Sequence, residues 1–264
     1  MIGMKQRIKN SPLYRVIRPV MFHARRFKRW LRPPRGVRYD TQMFQVMAQS
    51  LRPDSVCVDV GASVGDILKR IQAAAPEGRH FAIEALPHLA EALESNFPNV
   101  RVFACALSDC TGRAPFHFVR NRSAFSGLRR RTYDFGYPAE VEEIRVQTKR
   151  LDDLIPQDVQ VDFIKMDIEG GEYHAMLGGA KTILRCRPMI VFEASVRSTG
   201  HYGVSPEMIH DLIVRDFRLK LSTMERWLSD ELPFSREAFA AAYQKDFYFI
   251  AYPPERRRRM TAHT

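Results

Sequence analysis

The chain has 264 residues, 45% hydrophobic and 27% charged, a composition suited to a soluble globular protein with one catalytic-sized domain and extensions. No run approaches about 18 apolar residues, which excludes a simple bilayer-spanning helix, and the first residues lack the apolar segment and cleavage site of a secretory signal. The net charge of +11 is concentrated at the ends: residues 1–39 hold 12 Lys/Arg and no acid, residues 256–264 hold four Arg, and the stretch between has 25 basic against 30 acidic residues, or −5.

An electrostatic partner is therefore expected at the termini. Residues 11–32 have the grammar of a basic amphipathic helix, with Ser11 as N-cap, Pro12 in the first turn, a kink at Pro19 and a stop at Pro33-Pro34. Leu13, Val16, Ile17, Val20, Ala24, Phe27 and Leu31 keep the helical period, with arginines and Lys28 mostly between them. Such a helix can lie on an anionic membrane surface or pack its stripe on the body. The expected organisation is an extension over residues 1–39, a catalytic domain over 40–252 and a basic tail over 253–264.

From residue 40 onward strand and helix patterns alternate, as in an α/β sheet with crossover helices. A helix should close over 40–52. Strands are predicted over 55–60, 79–84, 100–106, 161–167, 189–194, 217–222 and 246–252, and further helices over 65–75, 87–96, 171–185 and 206–216. The segment 112–145 is too long for a simple crossover and should hold a β-hairpin and a flexible loop. Cys57, Cys105, Cys110 and Cys186 have no metal-binding or CxxC spacing, and read as buried reduced thiols of a cytoplasmic protein.

The first strand runs into "VCVDVGASVGD", residues 56–66, where Asp59 is followed by a turn bracketed by Gly61 and Gly65, with Ala62 between. Glycines let a backbone approach a ligand, and a helix N-terminus offers free amides. The spacing is neither the dinucleotide fingerprint nor a nucleotide phosphate loop. The second strand, "HFAIEALP", ends in Glu84, where doubly wound folds place an acid on a ribose diol. At the end of the third, Ala106 and Leu107 can flank a purine ring, with Ser108 or Asp109 reaching its amino nitrogen. The fourth ends in "KMDIEGGE", which puts Asp167 at the carboxyl edge beside the first strand.

"VDVGASVGD", "IEALP", "ACALSD", "TKRLDDLI", "DFIKMDIEGGEYHAMLGGAKTIL" and "RPMIVFEAS" occur in an order that resembles the FkbM family of S-adenosylmethionine-dependent methyltransferases, over roughly residues 40–252. The resemblance implies a class I methyltransferase fold, Rossmann-like, with a seven-stranded mostly parallel sheet whose last strand is antiparallel. It also implies methylation of hydroxyl oxygens, often on sugars or natural products. The chain departs from the family pattern at Ile83-Glu84-Ala85, Gly61-Ala62-Ser63 and Gly170-Gly171-Glu172 without losing a charged group.

Under that resemblance Asp59 orients the methionine amino group, Gly61, Ala62 and Gly65 let the cofactor approach, and Glu84 holds the ribose. Asp167 and Glu169 are expected on one face of the strand end, with Ile168 turned to the core. Glu193, at the end of the fifth strand, faces the same crevice. These three are the catalytic candidates; Glu172 is read as a cap or salt-bridge partner and His174 as a helix-surface residue. A divalent metal on Asp167, Glu169 and Glu193 is a reading that is not favoured. The expected acceptor is a small molecule or glycan. The rivals are an RNA methyltransferase, opposed by the acidic body, and a non-catalytic membrane-surface protein, opposed by the retained Asp59, Glu84 and Asp167.

Overall fold

The computed structural model describes residues 35–255; the amphipathic helix expected over 11–32 and the arginines of the tail lie outside the described residues. The chain divides into two units between Gln42 and Met43, and both sheets belong to the second. The first helix, Arg35–Ser50, ends close to the predicted boundary. No described helix is long and apolar enough to cross a membrane.

Seven strands form the main sheet: β1 (Cys57–Val60), β2 (Phe81–Glu84), β3 (Arg101–Ala104), β7 (Phe163–Met166), β8 (Met189–Glu193), β9 (Lys220–Ser222) and β10 (Tyr248–Tyr252). A second sheet holds β4 (Ala106–Leu107), β5 (Gly112–Val119) and β6 (Val141–Lys149). The main order is β3-β2-β1-β7-β8-β10-β9. Neighbours from β3 to β8 pair in parallel, and β10 runs antiparallel to both β8 and β9. This is the seven-stranded, mostly parallel sheet with an antiparallel last strand that the resemblance implied. β1, β2 and β7 are buried along their whole length, which is why they read as apolar runs without alternation. The edge strand β3 is the exposed exception.

Several expected elements are interrupted. The third strand does not continue to residue 106: β3 stops at Ala104, and Ala106-Leu107 crosses over to pair with Thr148-Lys149 of the second sheet. The predicted hairpin is present as β5 and β6, in register from Gly112↔Thr148 to Val119↔Val141. The single helix expected over 171–185 is two, Glu172–Gly178 and Ala180–Cys186. Gly178 ends the first helix and Gly179 lies at the break. A Cβ on Gly178 would overlap the Ser108 carbonyl oxygen. The second helix is also capped from elsewhere, by Asp152 accepting from the amides of Lys181 (3.1 Å) and Thr182 (2.8 Å).

The helix over 206–216 begins as expected at Pro206–His210, then continues as a π-helical turn, Asp211–Asp216. Residues 223–245, for which the sequence predicts no strand or helix, contain the helices Met224–Leu228 and Arg236–Tyr243. Their N-caps are Thr223 and Ser235, which accept from the amides of Arg226 and Ala238. Residues 195–204 likewise hold a short helix, Val196–Thr199, opened by a Ser195–Ser198 capping box. All four cysteines are free, but Cys110 is exposed, contrary to expectation. It sits in the turn between β4 and β5 of the second sheet.

Candidate active site

The turn after β1 explains its two glycines separately. Gly61, at φ +73°, lies against β7: a Cβ there would overlap the Asp167 carbonyl oxygen. Gly65, at φ +88°, lies against the Phe97 ring, which packs with Ala62, Leu68 and Leu93. Between them the chain crosses the end of β2, with the amides of Gly61 and Ala62 donating to the Ile83 carbonyl at 2.9 and 3.2 Å. Ser63 takes a left-handed conformation, φ 50°, so that its amide donates to Glu84 Oε2 at 2.8 Å. Glu84 Oε1 accepts from the Leu86 amide at 2.9 Å. Glu84 is buried, and this burial pushes its carboxyl up despite the two amides. Each oxygen has one amide and retains capacity for a second donor.

Asp59 is fully buried beneath this turn and forms an ion pair with Lys165 of β7, Nζ to Oδ1 3.4 Å. The strand register sets the meeting, because Asp59 pairs with Lys165 across β1 and β7. Lys165 Nζ also donates to the carbonyls of Gly61 (2.8 Å) and Val60 (3.4 Å). Burial pulls the Lys165 ammonium down, but Asp59 and then Asp167 outweigh it, so it is held above its ordinary range. Burial raises the Asp59 carboxyl even against Lys165. The two directions agree once Lys165 is seen to serve several acids while Asp59 has one cation. Lys165 was missed by sequence reasoning. Its signal was a lysine inside an apolar strand, "DFIKMD".

Ala106 and Leu107 are both buried, the first packed with Leu86 and Phe116, the second in the main core. Asp109 Oδ1 accepts from Ser108 Oγ at 3.0 Å, and Oδ2 lies 3.2 Å from His174 Nδ1. Partial burial pushes the Asp109 carboxyl up, but His174 and Ser108 outweigh it and hold it below the carboxylate range. His174 is half-buried rather than a simple helix-surface residue, and its ring lies 6.0 Å from that of Tyr202.

Asp167, Glu169 and Glu193 come together, with one carboxylate oxygen from each within 4.8 Å of the others. The route differs from the predicted one. β7 ends at Met166, and Asp167 and Glu169 converge through a turn with Glu169 at φ 61° and Gly170 at φ 105°, not through strand alternation. Ile168 still packs on the core. A Cβ on Gly170 would overlap the Ser198 carbonyl oxygen, so only glycine fits the turn.

The Tyr248 hydroxyl at the start of β10 donates to Asp167 Oδ2, and Arg131, from the loop between β5 and β6, pairs with Glu169. Neither was singled out from the sequence, because each meets its acid across the fold. Glu172 is fully buried, and its Oε1 accepts from the Ile168 amide at 2.8 Å, which ties down the turn ahead of the helix; among the described residues it forms neither the expected cap of the helix amides nor a salt bridge. Burial and the neighbouring Asp167 charge push Glu169 up to about 8 against Arg131; burial above all pushes Glu172 to about 8. Burial and the Asp167, Glu169 and Glu172 charges hold Glu193 well above the carboxylate range.

The strand order, the reversed β10, the glycine turn after β1 and the buried acid ending β2 together define a class I methyltransferase. A family model described as the methyltransferase FkbM domain matches residues 59–219, more than half of the sequence. The chain belongs to the FkbM methyltransferase family. It is similar to the 2-O-methyltransferase NoeI of Sinorhizobium fredii, 28% identical over 172 residues, covering 58% of this chain and 70% of that protein. It is also similar to the AMB antimetabolite synthetase AmbE of Pseudomonas aeruginosa, 27% identical over 201 residues, covering 62% of this chain but only 10% of AmbE. Among solved structures, a methyltransferase FkbM from Methylobacillus flagellatus superposes with a TM-score of 0.48 at 18% identity, covering 76% of this chain and 45% of the other. An O-methyltransferase from Bacillus cereus in complex with SAH has a TM-score of 0.44 at 14% identity, covering 81% and 80%.

Proposed function

We propose that the protein transfers a methyl group from S-adenosylmethionine to a hydroxyl oxygen of a sugar, glycan or natural-product acceptor. The observation that carries this reading is the adjacency of the glycine turn and the acid cluster: Gly61 abuts the backbone of Asp167, whose carboxylate lies beside those of Glu169 and Glu193. A cofactor on the turn and an alcohol at the cluster would then be neighbours. The name of NoeI supports oxygen as the acceptor atom.

The residues fit the cofactor. Glu84, with capacity left on both oxygens, suits a ribose diol. The Gly61–Gly65 turn has no side chain where Gly61 and Gly65 approach their neighbours. Ala106, Leu107 and Asp109 are assigned to the purine end. Asp59, wholly buried, is assigned an indirect part: it keeps Lys165 charged under the turn, and Lys165 holds the Val60 and Gly61 carbonyls in place.

Bound S-adenosylmethionine supplies an electrophilic sulfonium methyl. The chain aligns the alcohol in line with it, excludes water and accepts the proton released as the new C–O bond forms. Asp167, Glu169 and Glu193 are the candidate acceptors of that proton. Asp167 is oriented by Tyr248 and is the group assigned to the attacking oxygen, with Glu193 opposite Tyr248 in the β8–β10 register.

Calorimetry tests the cofactor part. S-adenosylmethionine and its demethylated product should bind at micromolar strength, with Glu84→Ala losing at least about tenfold, as expected when hydrogen bonds to a charged group worth ~1.5–3 kcal/mol are removed. Absence of binding by the folded wild type would end the reading. Transfer of labelled methyl to hydroxylated metabolites or glycans, lost in Asp167→Asn, tests the acceptor part.

A further inference from the structure

We propose that the loop between β5 and β6 holds a subsite for an oxyanion, a phosphate or a carboxylate, built from Arg122, Arg131 and Tyr133. The three residues surround a pair of aromatic rings. Phe125 and Phe135 pack edge to face, with ring centroids 4.8 Å apart. The Arg122 guanidinium lies 5.5 Å from the Phe125 centroid and 5.1 Å from that of Phe135. The Arg131 guanidinium lies 6.0 Å from the centroids of both Phe125 and Tyr133, and the Tyr133 ring lies 5.6 Å from Phe135. Two cations and a phenol are thus gathered on one small apolar platform.

Charge and unfilled hydrogen bonds both point to an anion. Residues 120–137 hold five arginines and one acid, Asp134, within a body that is net acidic. Arg120 is paired with Glu142 and Arg131 with Glu169, whereas Arg122 has no carboxylate partner among the described residues. The Arg131 side chain is only 9% exposed, yet its Nε has no hydrogen-bond partner among the described residues, and neither has the buried hydroxyl of Tyr133. Buried donors without acceptors are costly, and ring contacts at 6.0 Å lie at the limit of the cation–π range. An oxyanion offers acceptors to the Arg131 Nε–H, the Tyr133 hydroxyl and the Arg122 fork together.

The subsite borders the acid cluster. Arg131 reaches Glu169 through Nη2, and a Cβ on Gly127, in the same loop, would lie 3.6 Å from the Glu169 Cβ. The Arg131 guanidinium therefore stands between the bound anion and the nearest carboxylate, and shields one from the other. The role of the subsite rests on the methyltransferase reading: an acceptor anchored by its anionic group would turn a neighbouring hydroxyl toward the cluster. This narrows the acceptor to an acidic molecule, such as a sugar phosphate, a phosphate-linked glycan or a uronate. Outside the loop the body carries more acid than base, which suits a single anionic group and opposes a nucleic-acid strand.

Phosphorus nuclear magnetic resonance of inorganic phosphate, titrated with the full-length protein at low salt, tests the subsite without cofactor or activity. Phosphate should bind with a millimolar or tighter Kd. Glucose 6-phosphate or glucuronate should displace it, which tells phosphate from carboxylate recognition, and glucose should not. Arg122→Gln and, independently, Tyr133→Phe should each weaken binding at least about tenfold while circular dichroism shows the fold intact. Arg52→Gln, a change to an exposed arginine paired with Asp54, should leave it unchanged and controls for the loss of one positive charge. A phosphate signal untouched by the wild type would overturn the proposal, as would folded Arg122→Gln and Tyr133→Phe variants that bind like the wild type. Displacement by glucose as effective as by glucose 6-phosphate would also overturn it, since charge would not be what the loop reads. An oligouridylate that binds through Arg122 and Tyr133 more tightly than any of these small anions would replace it with a nucleic-acid surface. Cofactor calorimetry on the same samples should show unchanged S-adenosylmethionine affinity in both variants, which separates failure of the subsite from failure of the methyltransferase reading.

Discussion

Replacing Lys165 by Met keeps most of the side-chain volume and removes one charge from beneath the cofactor turn. Its Nζ lies 3.4 Å from Asp59 Oδ1, with Asp59 entirely buried. At an effective dielectric of about 20, two unit charges at that distance attract by ~5 kcal/mol. The same nitrogen serves the Gly61 and Val60 carbonyls, which would lose a charged donor. Asp59 would then be a buried carboxylate with no cation, and breaking a buried pair from one side costs about 3–5 kcal/mol. Protonation of Asp59, whose carboxyl burial already raises, limits the loss to the lower end of that range. Urea unfolding at pH 7, followed by circular dichroism, measures it. The double change Asp59→Asn with Lys165→Met removes both charges and should recover at least about 1 kcal/mol over Lys165→Met alone, since the uncompensated charge is gone. A Lys165→Met cost below about 1 kcal/mol, or a double variant no more stable than the single one, would refute the assignment of Lys165 as the counter-charge holding the turn.

Gly61→Ala should destabilise by about 2 kcal/mol or more and weaken cofactor binding, because the left-handed backbone and the Asp167 carbonyl both oppose a Cβ; unchanged calorimetry and urea midpoint would contradict the close approach. Tyr248→Phe removes the donor on Asp167 and should lower kcat about tenfold or more with cofactor affinity unchanged, and a kcat equal to wild type would detach Asp167 from that hydroxyl. His80 is buried, with Nε2 2.7 Å from the Ala75 carbonyl, and burial lowers its pKa below the ordinary 6.5. The neutral ring therefore contributes stability that is present above the unfolded pKa and lost as pH falls through the folded one. The Tm should accordingly drop on acidification below about pH 6.5, less so in His80→Gln; parallel pH profiles for the two proteins would rule His80 out as the cause.

The legible part of the fold was the part encoded locally. Continuous apolar strands at β1, β2, β7 and β8 announce a sheet covered on both faces, and the glycine turn, Glu84 and the "KMDIEGGE" run sit at strand ends that the pattern alone could position. Less legible were the elements whose limits depend on contacts from afar. The helix after Gly171 breaks at Gly179, and Asp152 caps the next turn from 29 and 30 residues away. The third strand ends early because residues 106–107 find a partner in β6.

The same division runs through the site. The sequence by itself determined which strand ends hold Asp59, Glu84, Asp167 and Glu193, since burial periodicity and glycine spacing are properties of neighbouring residues. Only the tertiary structure decided who meets these acids: Lys165 across the β1–β7 register, Tyr248 from a strand 81 residues beyond Asp167, and Arg131 from the loop between β5 and β6. The physical reason is that backbone preference and hydrophobic pattern act over a few residues, whereas a buried charge finds its partner through strand order and register, which depend on the chain as a whole.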